Sequence, residues 1–426
     1  GAQDQRALSD AQMNSTNTLY DALGPVLGKY YKDAADAGKL PKTAQFLSDM
    51  NKSASTGVAK ATYQHPRPYV DRVNFNGTTL NMNGLKQTLN IKKVPGYENF
   101  DWGDGEAPDN EYDGLYNSGS FPSGHTTFAF TQGAGLAYLL PELGPEIMTR
   151  VSEAGNNRIV LGVHYPLDIM GGHIAGQYGV ATAVSGEKTA QEGAAARAEL
   201  VDYLTAQCKA DNHGDTLDAC ITNTGANAAN GYRNDFTDEV STKPVTDRAS
   251  ALAAYKARMT YGFQATGTTG QAPVVPDSAV RMFDNVAAFK SLDSAQKKAV
   301  LAATEGDSGY PLDASSQGWA RVNLAAAYSA KVTLSADGKN VVKVEPGQAQ
   351  ASVVRETSGS NGNNGGNGNG GSNAGNTGVN NASGRNPSGT QPLSKTGADV
   401  SGIASAFILI AAAGVTITMI RRKHAI

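Results

Sequence analysis

The sequence predicts a mainly α-helical domain, and three observations support this fold class. Apolar residues recur at helical spacing in many segments, of which 16–31 and 43–50 are the first. Pro145 and Pro166 open two further segments, and proline suits the first turn of a helix. Asp293 and Gln296 have the spacing of a capping box at the start of another.

The predicted helices follow one another with polar breaks between them. A loop-rich insertion of Gly, Asn and Asp runs from about residue 70 to 120, and a second loop-rich zone spans about 208–250. Asp337 and Gly338 suit the turn of a small hairpin over 332–344. After the two N-terminal segments, helices are predicted at 123–140, 145–161, 166–185, 189–207, 248–262, 278–289 and 294–304.

The C-terminal part has a different composition. Residues 358–390 are mostly Gly, Asn and Ser, which cannot bury enough apolar surface to fold. Residues 401–420 form an uncharged apolar stretch of bilayer length, and a basic Arg421-Arg422-Lys423 cluster follows at once. We therefore expect a folded domain over 1–350, a disordered linker over 351–392, and a C-terminal segment over 393–426 that contains a transmembrane helix.

Charge and cysteine usage narrow the class of protein. The net charge of -3 and the lack of a long basic run outside the last residues argue against a nucleic-acid partner. The two cysteines, Cys208 and Cys220, are interpreted as a disulfide that closes a short loop, with a redox or metal pair as the alternative. Only His213 lies between them, which is too few ligands for a zinc site. The first residues carry no apolar signal core, so a secreted form would have lost its signal peptide already.

Three short motifs carry residues that suit phosphate chemistry. The motifs are Lys60 to Pro68 (KATYQHPRP), Gly119 to Thr126 (GSFPSGHT) and Asn157 to Asp168 (NRIVLGVHYPLD). They supply three cations, Lys60, Arg67 and Arg158, which can bind phosphate oxygens. Ser123, Gly124 and His125 open a predicted helix, whose free N–H groups favour an anion.

Two histidines and a carboxylate complete this set. Asp168 follows His164 by four residues at the start of a predicted helix, so it can hold one imidazole nitrogen and leave the other free to attack. His125 could donate or accept a proton. An anion cradle with two histidines and a carboxylate provides what phosphoryl transfer requires, without a metal or a cofactor.

The three motifs resemble the signature of the PAP2 superfamily, which is KxxxxxxRP, then PSGH, then SRxxxxxHxxxD. GSFPSGHT closely resembles the GSYPSGHT of bacterial class A acid phosphatases, with Phe121 in place of Tyr. Residues 308–313 (SGYPLD) and 318–324 (GWARVNL) look like segments of longer actinobacterial members. The resemblance thus covers residues 1 to about 330 and implies a helical bundle of the PAP2/vanadium haloperoxidase type.

The resemblance also implies a role for each matching residue. His164 would be the nucleophile that forms a phosphohistidine, and Asp168 would orient it. His125 would protonate the leaving alcohol and then activate water. Asn157 stands where the family usually has Ser. The phosphate oxygens would be held by Lys60, Arg67, Ser123, Gly124 and Arg158.

A second resemblance concerns the cell surface. Leu393 to Gly397 (LSKTG), the apolar stretch and the basic tail together resemble a Gram-positive sortase sorting signal, LPXTG, with Ser394 in place of Pro. This implies that sortase cleaves between Thr396 and Gly397 and joins Thr396 to peptidoglycan. The alternative is an uncleaved single-pass membrane anchor.

These observations predict a cell-wall-anchored acid phosphatase that hydrolyses small organic phosphomonoesters. A vanadium haloperoxidase would use the same cradle around vanadate, with His164 as the metal ligand. A non-catalytic surface scaffold would not require the whole residue set. The acidic loop at 101–113 is interpreted as solvated, with calcium binding as the alternative.

Overall fold

A computed structural model describes residues 1–70, 89, 91–97, 111–237, 243–314 and 316–357. Helices dominate these ranges, so the expected mainly helical fold is confirmed. The helices are α1 (Ala2–Ala11), α2 (Ser15–Leu19), α3 (Gly24–Asp36), α4 (Pro41–Asn51), α5 (Gly57–Tyr63), α6 (Glu111–Gly114), α7 (Gly124–Leu139), α8 (Gly144–Val160), α9 (Pro166–Ala183), α10 (Glu187–Ala210), α11 (Leu217–Thr224), α12 (Arg248–Thr260), α13 (Ser294–Thr304) and α14 (Leu324–Tyr328). Short 3₁₀ helices span Tyr20–Leu23, Pro141–Leu143, Asp277–Phe283 and Ala287–Ser291.

Helices α7, α8 and α9 form the centre of the fold, and α7 packs against both of the others. All three are buried on nearly every side, as expected of helices that are surrounded by other helices. Glycines let their backbones approach closely. A Cβ atom added at Gly133 would lie 2.2 Å from Val151, and one at Gly172 would lie 2.9 Å from the Ser123 carbonyl oxygen.

The remaining helices cover this centre. Helices α1 and α12 pack on α8, α4 packs on α7, and α10 packs on α4. The structure joins Cys208, at the end of α10, to Cys220 in α11 by a disulfide. Within the described ranges, no helix is both long enough and apolar enough to cross a membrane.

A small sheet follows the last helix, with strands β1 (Lys331–Leu334), β2 (Val341–Glu345) and β3 (Ser352–Arg355) in the order β2-β1-β3. Strands β1 and β2 form the predicted hairpin. Strand β3 pairs with β1 in parallel, which the sequence did not predict. It lies in the range that the sequence interpretation gave to the linker.

Two further differences concern helices. The segment 278–289, predicted as one helix, forms parts of two 3₁₀ helices with a turn between them. The side chain of Asn285 in that turn donates a hydrogen bond to the Tyr138 carbonyl and so ties the turn to the end of α7. Helix α11 lies within the predicted loop-rich zone, where Thr216 caps it by accepting from the Ala219 N–H.

Candidate active site

The turn between α8 and α9 carries the third motif. Gly162 lies two residues beyond the end of α8 and has a φ of 71°, a backbone conformation that glycine adopts without strain. The next N–H, that of Val163, donates to the Arg158 carbonyl at 3.2 Å, and Pro166 then begins α9. The turn therefore places Arg158, His164 and Asp168 side by side.

His164 is held on both nitrogens. Its Nδ1 lies 3.1 Å from Oδ2 of Asp168, the contact that the four-residue spacing predicts. Its Nε2 lies 3.0 Å from Nη1 of Arg67. Because an arginine can only donate, Nε2 carries the lone pair and Nδ1 carries the proton. The lone pair of Nε2 thus faces the guanidinium.

Electrostatics favours this neutral form of His164. Burial lowers the pKa of His164 well below its ordinary value, and the charges of Arg67 and Arg158 lower it further. Burial also raises the pKa of Asp168 to about 6, although the Tyr165 N–H opposes this by donating to Oδ2 at 2.8 Å. Above that pH, a carboxylate therefore supports a neutral imidazole.

Arg67 is fixed by backbone as well as by His164. Its Nε donates to the Leu115 carbonyl at 3.2 Å, and its Nη1 also donates to the Val163 carbonyl at 3.1 Å. Nη2 lies 3.3 Å from the hydroxyl of Ser118. Burial lowers the pKa of Arg67 to about 10, so the side chain remains a cation at neutral pH.

Lys60 lies nearby on α5, where its ammonium group donates to the Gly119 carbonyl. Burial and the charge of Arg67 lower the pKa of Lys60 to about 7. The charge of Lys60, unlike that of Arg67, therefore depends on pH in the neutral range.

Arg158 is almost fully buried, with 1% of its surface exposed. Its Nη2 donates to the hydroxyl of Tyr97 at 2.8 Å, and the guanidinium carbon lies 5.5 Å from the centre of the Tyr97 ring. Its Nε and Nη1 have no hydrogen-bond partner among the described residues. A buried donor without a partner is costly, and a phosphate oxygen would satisfy it.

The N-terminus of α7 provides the second motif. Ser123 caps the helix by accepting from the Thr126 N–H at 3.2 Å, and its own N–H donates to the Asp168 carbonyl at 3.0 Å. Its hydroxyl still has a proton to donate. Gly124 and His125 form the first turn, where N–H groups and the helix dipole favour an anion.

His125 meets the N-terminal helix. Its Nε2 lies 3.1 Å from the carbonyl oxygen of Ala11, the last residue of α1. Burial lowers the pKa of His125 well below its ordinary value, and Arg158 lowers it further, whereas the Ala11 carbonyl raises it. His125 is therefore neutral at rest, and a developing or bound negative charge nearby would favour its protonation.

Comparison with known protein families finds a match that includes all three motifs. Residues 44–190 match the model of the PAP2 superfamily. The chain contains a PAP2 superfamily domain.

Two curated proteins are similar to part of this chain. An acid phosphatase from Zymomonas mobilis subsp. mobilis is 40% identical over 62 residues, which cover 15% of this chain and 24% of that protein. A non-specific acid phosphatase from Providencia stuartii is 33% identical over 72 residues, or 17% of this chain and 29% of that protein. The chain thus spans about a quarter of the length of these relatives.

The PAP2 domain also contains site residues that sequence reasoning missed. Tyr97 binds Arg158 but lies in a loop-rich stretch with no motif of its own. Ser120 stands inside the second motif, with its Oγ 3.4 Å from Oδ1 of Asp168 and 2.9 Å from Nδ1 of His65. The sequence did not indicate that the Ser120 hydroxyl contacts the Asp168 carboxylate, since serine is common in glycine-rich turns.

Other predicted features lie outside the described residues. These are residues 101–110 of the acidic loop, the linker from 358 onward, the transmembrane helix, and the sorting-signal residues Leu393, Thr396 and Gly397. Among the residues that the structure describes, no group of three or more His, Cys, Asp and Glu side chains could hold a metal ion.

Proposed function

We propose that this chain hydrolyses phosphomonoesters through a phosphohistidine on His164. One observation carries the proposal: Nδ1 of His164 contacts the Asp168 carboxylate, while Nε2 faces the Arg67 guanidinium. A lone pair that points at a cation is placed to attack a phosphorus atom whose oxygens bind that cation. Both of the similar proteins are acid phosphatases, which supports the same reaction class.

In the first step, the Nε2 lone pair of His164 attacks phosphorus, a P–N bond forms and the ester P–O bond breaks. The bound phosphate's negative charge favours the doubly protonated form of His125, which gives its Nδ1 proton to the departing alkoxide, and this leaves as an alcohol. The phosphorylated imidazole gains positive charge, which the Asp168 carboxylate stabilises. Arg67, Arg158 and Lys60 neutralise the charge on the phosphoryl oxygens.

In the second step, a water oxygen attacks phosphorus and loses a proton to His125. The P–N bond breaks, its electron pair returns to Nε2 of His164, and inorganic phosphate leaves. His125 now holds the proton that it gave away in the first step, so the cycle is closed. Every proton and bond is accounted for by side chains of this chain and by water.

The test is hydrolysis of 4-nitrophenyl phosphate by the purified chain with EDTA present. We expect activity that survives EDTA, is blocked by vanadate and falls to background in His164→Ala. Rapid quenching under alkaline conditions should trap one phosphoryl group on His164, detectable by mass spectrometry. His213→Ala is the matched control, because this histidine lies beyond the site near the disulfide and should change neither result.

Three other outcomes would count against the proposal. Loss of activity with EDTA would indicate metal chemistry. Bromide oxidation by the vanadate-loaded protein with peroxide, without phosphate release, would support a haloperoxidase. No activity with either reaction across acid and neutral pH would support a non-catalytic scaffold.

We propose further that the protein acts outside a Gram-positive cell, on small organic phosphates. The support is the LSKTG segment ending at Gly397, followed by the apolar stretch 401–420 and the basic tail. A disulfide is typical of an oxidising compartment. Expression of the whole chain in a sortase-positive host should place it in the cell-wall fraction with Thr396 as its last residue. Release by detergent with residues 397–426 still attached would support a membrane anchor instead.

A further inference from the structure

The N-terminal helix reaches the active site from outside all three motifs. Ala11 is fully buried at the end of α1, and its carbonyl oxygen lies 3.1 Å from Nε2 of His125. Because a carbonyl can only accept, Nε2 carries a proton. The proton that His125 exchanges with a substrate is therefore the one on Nδ1, and the orientation of the ring depends on where Ala11 lies.

The residue before Ala11 anchors this turn of α1. Asp10 is buried, and its two oxygens accept from Arg150 at 2.5 and 3.0 Å. Oδ2 also accepts from Nδ2 of Asn157 at 2.7 Å, and Oδ1 accepts from the hydroxyl of Thr18 at 3.2 Å. Breaking a buried pair of this kind leaves an uncompensated charge, so the anchor is strong.

The partner of Asp10 on α8 is the residue that departs from the PAP2 signature. Asn157 stands where the family usually has Ser, and it directly precedes Arg158. A serine side chain is shorter and carries no amide to reach the carboxylate. The Asn157 amide thus ties the last turn of α1 to the helical turn that bears Arg158.

Asp10 and His125 also border the same small cavity, of about 10 Å³, together with Thr18 and Gln132. The anchoring carboxylate and the acid–base histidine therefore line one small space. A shift of Asp10 would change the position of His125 through the Ala11 backbone.

We propose that Asp10 is a positioning residue that acts through Ala11 on His125. Asp10 holds the end of α1 against Asn157 and Arg150, and this places the Ala11 carbonyl on Nε2. The contact sets the tautomer and the direction of the acid–base histidine. The inference rests on the proposed function, since it assumes that His125 protonates the leaving group.

The proposal predicts a dependence on the leaving group. An alkoxide is a poor leaving group and needs a proton as the ester bond breaks, whereas 4-nitrophenolate leaves without one. A misplaced His125 therefore slows the hydrolysis of glycerol 2-phosphate much more than that of 4-nitrophenyl phosphate. Loss of general stability, by contrast, lowers the rates with both substrates by the same factor.

The experiment compares kcat/KM for these two substrates in the whole chain carrying Asp10→Asn or Asn157→Ser. We expect a loss of about tenfold or more with glycerol 2-phosphate and less than about threefold with 4-nitrophenyl phosphate, since general acid catalysis contributes about 10²–10⁴. Inhibition by vanadate should change less than about twofold, because the phosphate cradle is intact. Asn157→Ser keeps the Asp10–Arg150 ion pair, so this variant still tests the positioning role of Asp10 if Asp10→Asn does not fold.

Asp21→Asn is the matched control. Asp21 also binds Arg150 and Arg6, but it contacts neither Asn157 nor Ala11 in the described structure. It should lower the rates with both substrates equally or not at all. Equal losses with both substrates in Asp10→Asn, or the same selectivity in Asp21→Asn, would overturn the proposal.

His125→Ala separates this proposal from the proposed function. One outcome is that His125→Ala lowers kcat/KM more for glycerol 2-phosphate than for 4-nitrophenyl phosphate while Asp10→Asn and Asn157→Ser do not. In that case only the positioning role of Asp10 is wrong. If His125→Ala shows no selectivity, the acid–base role of His125 is wrong and the positioning role falls with it.

Discussion

Replacing Asp168 with Asn is expected to lower kcat while making the protein more stable at neutral pH. Asn is nearly isosteric with Asp, and its oxygen can accept from His164 and Tyr165 as Oδ2 does now. Its NH₂ group then faces Ser120, whose hydroxyl can accept. The substitution thus keeps the geometry of the pair and removes its charge.

In the proposed mechanism, His164 gains positive charge when the P–N bond forms, and the expected loss of activity follows from this charge. Opposite unit charges about 4 Å apart interact by about 4 kcal/mol at an effective dielectric constant of about 20. Each 1.4 kcal/mol or so of lost transition-state stabilisation slows the reaction about tenfold. We therefore expect kcat to fall by about 10²–10³, with KM changed much less.

The gain in stability follows from the raised pKa of Asp168. Burial raises it to about 6 from an ordinary 3.8, a difference of about 2 units or about 3 kcal/mol. Because the folded pKa is the higher one, the folded protein is favoured below pH about 4, and this advantage is lost as the pH rises to about 6. An Asn at this position has no such loss.

The assay is urea unfolding of wild type and Asp168→Asn at pH 4, 6 and 8, with kcat measured on the same preparations. The variant's free energy of unfolding should rise relative to wild type between pH 4 and pH 8, by up to about 3 kcal/mol. A difference that does not change with pH, or a kcat within about threefold of wild type, would refute the reasoning.

Three further predictions concern other parts of the molecule. Burial lowers the pKa of Lys60 to about 7, so kcat/KM should fall above that pH as the ammonium group loses its proton, and Lys60→Arg should move this fall to higher pH. Replacing Cys208 and Cys220 by Ser opens a loop with a sequence separation of 12, which should cost about 3 kcal/mol in urea unfolding and leave kcat unchanged. In Gly172→Ala, the new Cβ would lie 2.8 Å from the Thr126 Cβ, so we expect a loss of about 1–3 kcal/mol in the same assay and a lower kcat.

Local signals in the sequence predicted much of the fold and of the candidate site. His164 and Asp168 are four residues apart across a helix start, so their contact follows from helix geometry. Asp293 and Gln296 form the reciprocal capping bonds that their spacing predicts. Features of this kind depend on a few neighbouring residues, which is why the sequence alone reveals them.

Contacts between distant segments could not be predicted in the same way. Strand β3 pairs in parallel with β1, and its short sequence contains no pattern that predicts which strand it pairs with. Tyr97 binds Arg158 across 61 positions. The Ala11 contact to His125 uses a backbone carbonyl, which every residue type has, so no side chain in α1 predicts this contact.

The contact between Ala11 and His125 allows proton-transfer chemistry to vary between related chains whose motifs are identical. The motif residues begin at Lys60, whereas the oxygen that holds His125 belongs to Ala11. Two chains could share every motif residue and still differ in the basicity of this histidine, because the carbonyl that accepts from it lies in a segment outside the motifs. The acidity of the proton donor, and with it the range of alcohols that the enzyme can release, would then evolve through the N-terminal helix while the phosphate-binding residues stay unchanged.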